Sequence, residues 1–244
     1  MNTRTLPGIR LLLCATIASV LAGCAPSEPP APKSAEAPTV TAVPETSAAP
    51  VPAGSYTLEK THASLLFRVN HLGFSNFTAR FKRFDAQLQF DPKHLAASTL
   101  TATVDATSLE TDYPDPATLD FNAMLQNDQW LDTAKFPEMK FVTKSVEASG
   151  ANAMRINGEL TLHGVTHPVS LDATFNGGYA GHPMDPHARI GFSAHGSLNR
   201  SDFGIAYGIP APGTTMGVSD KVEVIIECEF SGPPLSAAAA ATAS

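Results

Sequence analysis

Eight histidines and three cysteines are the side chains of this sequence with the widest chemical reach, and their positions decide which chemistry is open. His163 and His167 stand four residues apart, the spacing that sets two imidazoles on one helix face for a zinc ion. No His-Glu-x-x-His run or cysteine pair accompanies them, and Gly164 and Pro168 read as a break between strands. His182 and His187 flank Pro183-Met184-Asp185-Pro186, a loop that offers one carboxylate between two imidazoles. Solvated or turn-stabilising histidines explain both pairs, so no metal site is assigned. Serine, histidine and aspartate are present without a Gly-x-Ser-x-Gly elbow. Asn176-Gly177-Gly178 belongs to a turn, no phosphate loop or dinucleotide fingerprint follows a strand, and no Cys-x-x-Cys-His offers haem attachment. Cys228 shares one face with Val222, Val224, Ile226 and Phe230, which makes it a buried small hydrophobe rather than a reactive thiol. No catalytic residue and no cofactor are assigned, and the chain is not expected to be an enzyme.

Cys24 belongs to a different chemistry. Residues 1–23 carry Arg4 and Arg10, then an apolar run from Leu11 to Leu21, the layout of a secretory signal too short to span a bilayer. The run ends in Leu21-Ala22-Gly23-Cys24, which has the pattern of a lipobox: cleavage before the cysteine and acylation of its thiol. Ala25 in place of aspartate resembles lipoproteins passed on to an outer membrane. Residues 24–54 are rich in Pro, Ala, Ser and Thr and cannot bury enough surface to offset ordering, so they are expected to be a disordered tether. Residues 233–244 are expected to be a disordered tail.

That leaves residues 55–232 as one folded domain. The formal net charge of −7 sits entirely on it, because the few charged residues outside cancel. An acidic surface argues against a nucleic-acid partner. With one cysteine, the domain has no internal disulfide and rests on its core.

The elements that must position any site are strands. Met154, Ile156, Gly158, Leu160 and Leu162 alternate, as do Val169, Leu171, Ala173 and Phe175, giving a hairpin whose break is marked by Gly164, His167 and Pro168. Similar alternation runs through Leu65, Phe67 and Val69, and through Phe77, Ala79 and Phe81. Beyond Lys82-Arg83 the parity changes to Phe84, Ala86, Leu88 and Phe90, which suggests a bulge or tight reversal. Leu100 to Ala106, Met139 to Val146, Ala188 to Leu198 and Val218 to Phe230 complete the set. Asp91-Pro92 caps a helical turn, and Asp115-Pro116 opens a helix to Gln126 whose apolar face is Ala117, Phe121, Met124 and Leu125. About eight such strands predict an all-β fold, a closed antiparallel barrel or a sandwich with one covering helix, and an eight-stranded barrel has room for its own side chains or for one small ligand.

Several segments in order resemble the YceI family of lipocalin-like proteins: Leu58 to Phe67 (LEKTHASLLF), Asn70 to Gly73, Leu125 to Phe141 (LQNDQWLDTAKFPEMKF), Gly158 to Pro168 (GELTLHGVTHP) and Arg200 to Ile205 (RSDFGI). Glu59-Lys60 stands where the family has Asp-Pro, Ala63 where it has serine, and Met124 where it commonly has histidine. The resemblance implies an eight-stranded lipocalin-like barrel with an apolar interior that holds a polyisoprenoid or another long-chain amphiphile such as an isoprenoid quinone. His62 and His71 match family positions near the mouth or bracing a strand. Joined to Cys24, this implies a lipid-anchored protein of the bacterial cell envelope, its domain periplasmic and its anchor in the outer membrane. Two other readings stay open: an envelope interaction or stress-protection module with a side-chain-filled barrel, and a metal-dependent enzyme. A homodimer also stays open. The residues expected to line a ligand cavity are Phe67, Val69, Phe81, Val104, Phe121, Leu125, Trp130, Phe141, Leu162 and Phe192, chosen for apolar-face position and nearness to the matching segments.

Overall fold

The computed structural model describes residues 51–235; Cys24, the signal, most of the tether and most of the tail lie outside the described residues. Ten strands follow in chain order: β1 (Gly54–His71), β2 (Ser75–Phe81), β3 (Phe84–Phe90), β4 (Thr99–Asp105), β5 (Leu109–Glu110), β6 (Glu138–Ala148), β7 (Ala153–Leu162), β8 (Val165–Tyr179), β9 (His187–Asn199) and β10 (Val218–Pro234). β1 thus begins one residue before the expected domain, and β10 runs two residues past it into the segment read as tail.

All ladders are antiparallel, and β1 pairs with β10 to close the sheet on itself. β2 and β3 lie end to end along the other edge of β1, with Leu65 opposite Phe81 and Tyr56 opposite Leu88. β5 pairs with β2 and β4 with β3, so ten strands occupy eight positions around a closed barrel. The break at Lys82-Arg83 is the local device that makes this work. Arg83 donates from Nε to Asp105 Oδ2 at 2.8 Å, and its backbone N–H reaches Ser108 Oγ at 3.0 Å. The extra residue lets Phe77, Ala79 and Phe81 and then Phe84, Ala86 and Leu88 all face inward despite the change of parity.

The hairpin of β7 and β8 keeps the expected face, with Met154 opposite Ala173, Ile156 opposite Leu171 and Gly158 opposite Val169. Its turn is tighter than the sequence suggested. His163 and Gly164 both have positive φ, 52° and 75°, as a two-residue hairpin turn requires, and His167 and Pro168 lie inside β8 opposite Leu160 and Glu159.

The helix is a second correction. Only Phe121–Leu125, α1, is helical, capped by Asp120, whose carboxylate accepts from the Ala123 N–H at 2.9 Å. Asp115 closes a separate turn, accepting from the Thr118 hydroxyl at 2.6 Å. Ala117 and Leu119 are exposed, so nothing apolar holds the first turns in a helix, and sequence spacing alone is too weak to do so. Asp91 does cap its short turn, accepting from the backbone of Lys93 and His94 ahead of a 3-10 helix at Leu95–Ala97.

The interior divides along the barrel axis. At the end where β1 begins, Tyr56, Phe90, Phe175, Phe192 and Phe230 fill the cross-section, with ring centroids 5.4 to 6.2 Å apart. Tyr56 and Ile190 are almost wholly buried there. The other half is walled by apolar side chains but not filled.

Candidate functional site: an apolar cavity open at one end

In the unfilled half, a cavity of about 920 Å³ runs from the aromatic plug to an opening among the loops. Its wall is the inward face of the strands: Leu65, Phe67 and Val69 on β1, Val104 on β4, Phe141 on β6, Leu160 and Leu162 on β7, Val169 and Leu171 on β8, and Val222, Val224 and Ile226 on β10. Period-two alternation brings these side chains inward because the barrel has only one inside. Gly158, opposite Thr143 on β6, carries no Cβ against the Phe141 ring, which lies over its bare backbone; a methyl group there would overlap the ring.

At the mouth α1 sets Phe121, Met124 and Leu125 into the wall. Asn122 anchors the helix, accepting from the Thr111 N–H at 2.9 Å and donating to Glu110 Oε1 at 3.2 Å. Phe121 packs edge-on against Phe77 at 5.6 Å and, tilted by 43°, against Tyr113 at 5.5 Å. Beside it stands Trp130, with Tyr207 at 5.4 Å and the Arg200 guanidinium 5.3 Å above its ring.

Arg200 is the one charged group set deep in this wall, only 4% exposed. It has no carboxylate within ion-pair distance among the described residues. It donates instead to four backbone carbonyls, of Ser219, Ile205, Tyr207 and Val218, at 2.8 to 3.0 Å. Burial holds its guanidinium below the ordinary arginine range, with Asp220 acting weakly against that. The four contacts lash the loop after β9 to the start of β10, so the charge serves to fix the mouth.

Of the ten residues expected to line a cavity, Phe67, Val69, Phe81, Val104, Phe121, Leu125, Trp130, Phe141 and Leu162 border this one. Phe192 does not. It faces inward but lies in the plug, 5.7 Å from Phe90 and 5.4 Å from Phe175, at a height where no space remains. Sequence reasoning missed Arg200, Tyr113, Met124 and the β10 wall. The β10 residues were already grouped on one face by alternation; Arg200 sits in the RSDFGI segment without any periodic signal.

The other singled-out side chains are accounted for locally. His71 borders the cavity, whereas His62 is exposed outside the barrel, 3.7 Å from Glu229. His163 Nδ1 lies 3.0 Å from the Phe203 carbonyl, which can only accept, so Nδ1 carries the proton; Nε2 is buried without a partner. His182 Nδ1 accepts from the Met184 N–H at 3.2 Å. The Asp185 carboxylate accepts from Tyr179 at 2.7 Å and Arg189 at 2.9 Å, and the Tyr179 contact, ahead of Arg189, holds it below the usual carboxylate range. Among the described residues no three His, Cys, Asp or Glu side chains converge as a metal ion would need. Cys228 borders the cavity, its thiol donating to the Phe192 carbonyl at 3.6 Å; burial pushes the thiol up to about 12, far from the thiolate that reactivity requires.

A closed eight-stranded antiparallel barrel, plugged at one end and hollow and apolar at the other, is a lipocalin-like barrel. Comparison with known proteins gives the lineage. The model of the YceI-like domain matches residues 56–230, and the chain belongs to the YceI family. It is 35% identical over 182 residues to Protein YceI of Escherichia coli, covering 72% of this chain and 86% of that one. Its fold is similar to that of Burkholderia cenocepacia BcnA, with a TM-score of 0.60 and 21% identity over 70% of this chain and 98% of that one. It is also similar to a polyisoprenoid binding domain from Saccharophagus degradans implicated in plant cell wall breakdown, with a TM-score of 0.52 and 16% identity, covering 73% of this chain and 98% of that one.

Proposed function

We propose that this protein binds or carries a long-chain amphiphile, a polyisoprenoid or isoprenoid quinone, in the hollow half of its barrel, without chemical change to it, while anchored in the cell envelope through an acylated Cys24. The cavity carries the reading: an apolar space of about 920 Å³, walled by strands and open at one end, is what a single lipid chain needs. At roughly 30 Å³ per heavy atom it takes about thirty carbons. With roughly 0.3 kcal/mol per atom, such a chain gains about 9 kcal/mol, a dissociation constant somewhat below micromolar. Affinity then comes from length, and selectivity from the mouth.

The relatives support the same chemistry, one of them being a polyisoprenoid binding domain. The lipobox, the tether and Ala25 support an outer-membrane anchor with the barrel on the periplasmic side. A barrel serving only as an interaction module has no use for a hollow half, and the dispersed histidines give a metal-dependent reaction no centre.

The test is mass spectrometry of organic extracts of the purified full chain. A long isoprenoid or acyl chain at close to one per protein is expected. A ligand-free protein that also fails to take up such chains in direct titration overturns the reading.

A further inference from the structure

Among the described residues seven large apolar side chains are exposed: Phe74, Tyr113, Leu119, Val165, Met184, Tyr207 and Met216. Single exposed side chains of this kind are ordinary on a protein surface, but their distribution here is not. By the antiparallel order, the turn between β1 and β2, the segment 111–137, the turn between β7 and β8 and the loop 200–217 all emerge at one end, the end where the cavity opens. Six of the seven stand on those connections or at their edge, and only Met184 is at the plugged end. Of these six, Phe74 and Met216 are the most exposed, at 83% and 71%. Their turns are tied together, the Leu72 N–H donating to the Gly217 carbonyl at 2.8 Å, so the two side chains belong to one rim.

The rim is continuous with the cavity wall. Tyr113 belongs to both, and Tyr207 packs on the wall residue Trp130. Charge selects among occupants of such a rim. Between β5 and β6 the chain carries five aspartates; Asp112 is paired with Arg80 and the buried Asp132 with Lys135, which leaves the exposed Asp115, Asp120 and Asp128 with no cation at ion-pair distance among the described residues. A second copy related by a twofold axis would set these carboxylates against their own duplicates and seal two mouths together. An anionic membrane would be repelled. A surface of zwitterionic lipid accepts aromatic and thioether side chains at its interface and meets the carboxylates with its outward cationic groups.

We propose that the mouth end of the barrel docks onto a zwitterionic lipid bilayer, Phe74, Met216 and Tyr207 entering the interface around the cavity opening, so that a chain passes between bilayer and cavity without crossing water. This rests on the reading of the cavity as a lipid site.

Trp130, the single tryptophan of the chain, reports on the docking from the mouth itself. The full chain is mixed with phosphatidylcholine vesicles carrying a nitroxide on the lipid head group, and Trp130 emission is followed. Attachment through the N-terminal residues is common to all variants, whereas quenching needs the mouth at the surface. The wild-type protein and Met184→Ser are expected to be quenched alike, and the double variant Phe74→Ser, Met216→Ser to need at least about tenfold more lipid for the same quenching. Absence of quenching in the wild type, equal quenching in the double variant, or a dimer without vesicles that the double variant dissolves would each overturn the proposal. Uptake of a soluble fluorescent fatty acid, measured without vesicles, is expected to be the same in wild type and double variant. If neither takes up the probe while quenching still separates them, the docking surface stands and the lipid-cavity reading falls.

Discussion

The two halves of the barrel are made by the same strands with the same inward alternation, yet one is filled by rings and the other is hollow. β6 passes through both, with Val146 packed toward the plug and Met139 toward the cavity, and on β4 Leu100 packs against both groups while Val104 belongs to the cavity. The difference lies in what stands at each height. Around the plug the inward positions of five strands carry Tyr56, Phe90, Phe175, Phe192 and Phe230, large enough to meet across the axis. Around the cavity they carry valines, leucines and alanine, with phenylalanines packed on their neighbours along the wall, Phe67 on Phe81 and Phe77 on Phe121, each at 5.6 Å, which leaves the space between open. Closure of the barrel depends on the backbone ladders, so a core is needed over only part of its length. The rest is free to be specialised for a guest.

The comparison is broken most directly by emptying each half. Phe192→Ala removes a ring packed on three others and is expected to cost about 3–5 kcal/mol. Val104→Ala only enlarges a space already present and is expected to cost about 1 kcal/mol. Urea unfolding of the two variants checks this, and equal costs would mean that the hollow half is as tightly held as the plug.

Filling sharpens the same contrast. Ala102 lies between Ala86 and Phe141 in the sheet, at the floor of the cavity. Ala102→Trp is expected to lower uptake of a long-chain ligand by about a hundredfold, near 2.7 kcal/mol. The unfolding midpoint should stay close to wild type, because the ring enters a void rather than a packed core. Fluorescent-lipid titration and urea unfolding on one sample measure both.

The smallest effect is a pH dependence, set mainly in the plug. Burial pushes the Tyr56 phenol up to about 12, and its hydroxyl donates to the Pro52 carbonyl at 2.7 Å. The raised value means that the folded protein favours the neutral phenol. This contribution is complete below about pH 10, the ordinary tyrosine range, and is lost as pH rises through the folded value near 12. A loss on the order of 1–2 kcal/mol over that window is expected from Tyr56, reduced in Tyr56→Phe. Cys228, raised to about 12 on the cavity wall, adds a decline that begins nearer pH 9 and is removed by Cys228→Ala. Melting temperatures across this range separate the two, and a Tyr56→Phe slope identical to wild type would place the phenol in contact with water.

Alternation made the barrel legible in the sequence, because a face is a local property: Phe67 and Val69 are two residues apart and must point the same way. Height along the barrel axis is not local. Phe192 and Phe141 carry the same inward signature, and only the stagger between strands places one in the plug and the other in the wall. The overlong helix failed for a related reason. The spacing of Ala117, Phe121, Met124 and Leu125 describes a face, but whether Ala117 has anything to pack on depends on where the rim ends. Arg200 was hidden because four backbone carbonyls hold it, and acceptors of that kind carry no residue type to recognise.

The pairing of β1 with β10 also governs how the chain comes into being. Leu58 finds its partner in Phe230, close to the far end of the domain, so β1 keeps an unsatisfied edge until almost every residue has been made. Local hairpins such as β7 with β8 can form early, but the cavity has no enclosing wall before the last strand docks. Folding of this domain is therefore dominated by contacts of long sequence separation and is expected to be slow for its size. A cell making it must keep an open, edge-exposed sheet from pairing with its neighbours until synthesis reaches the final strand.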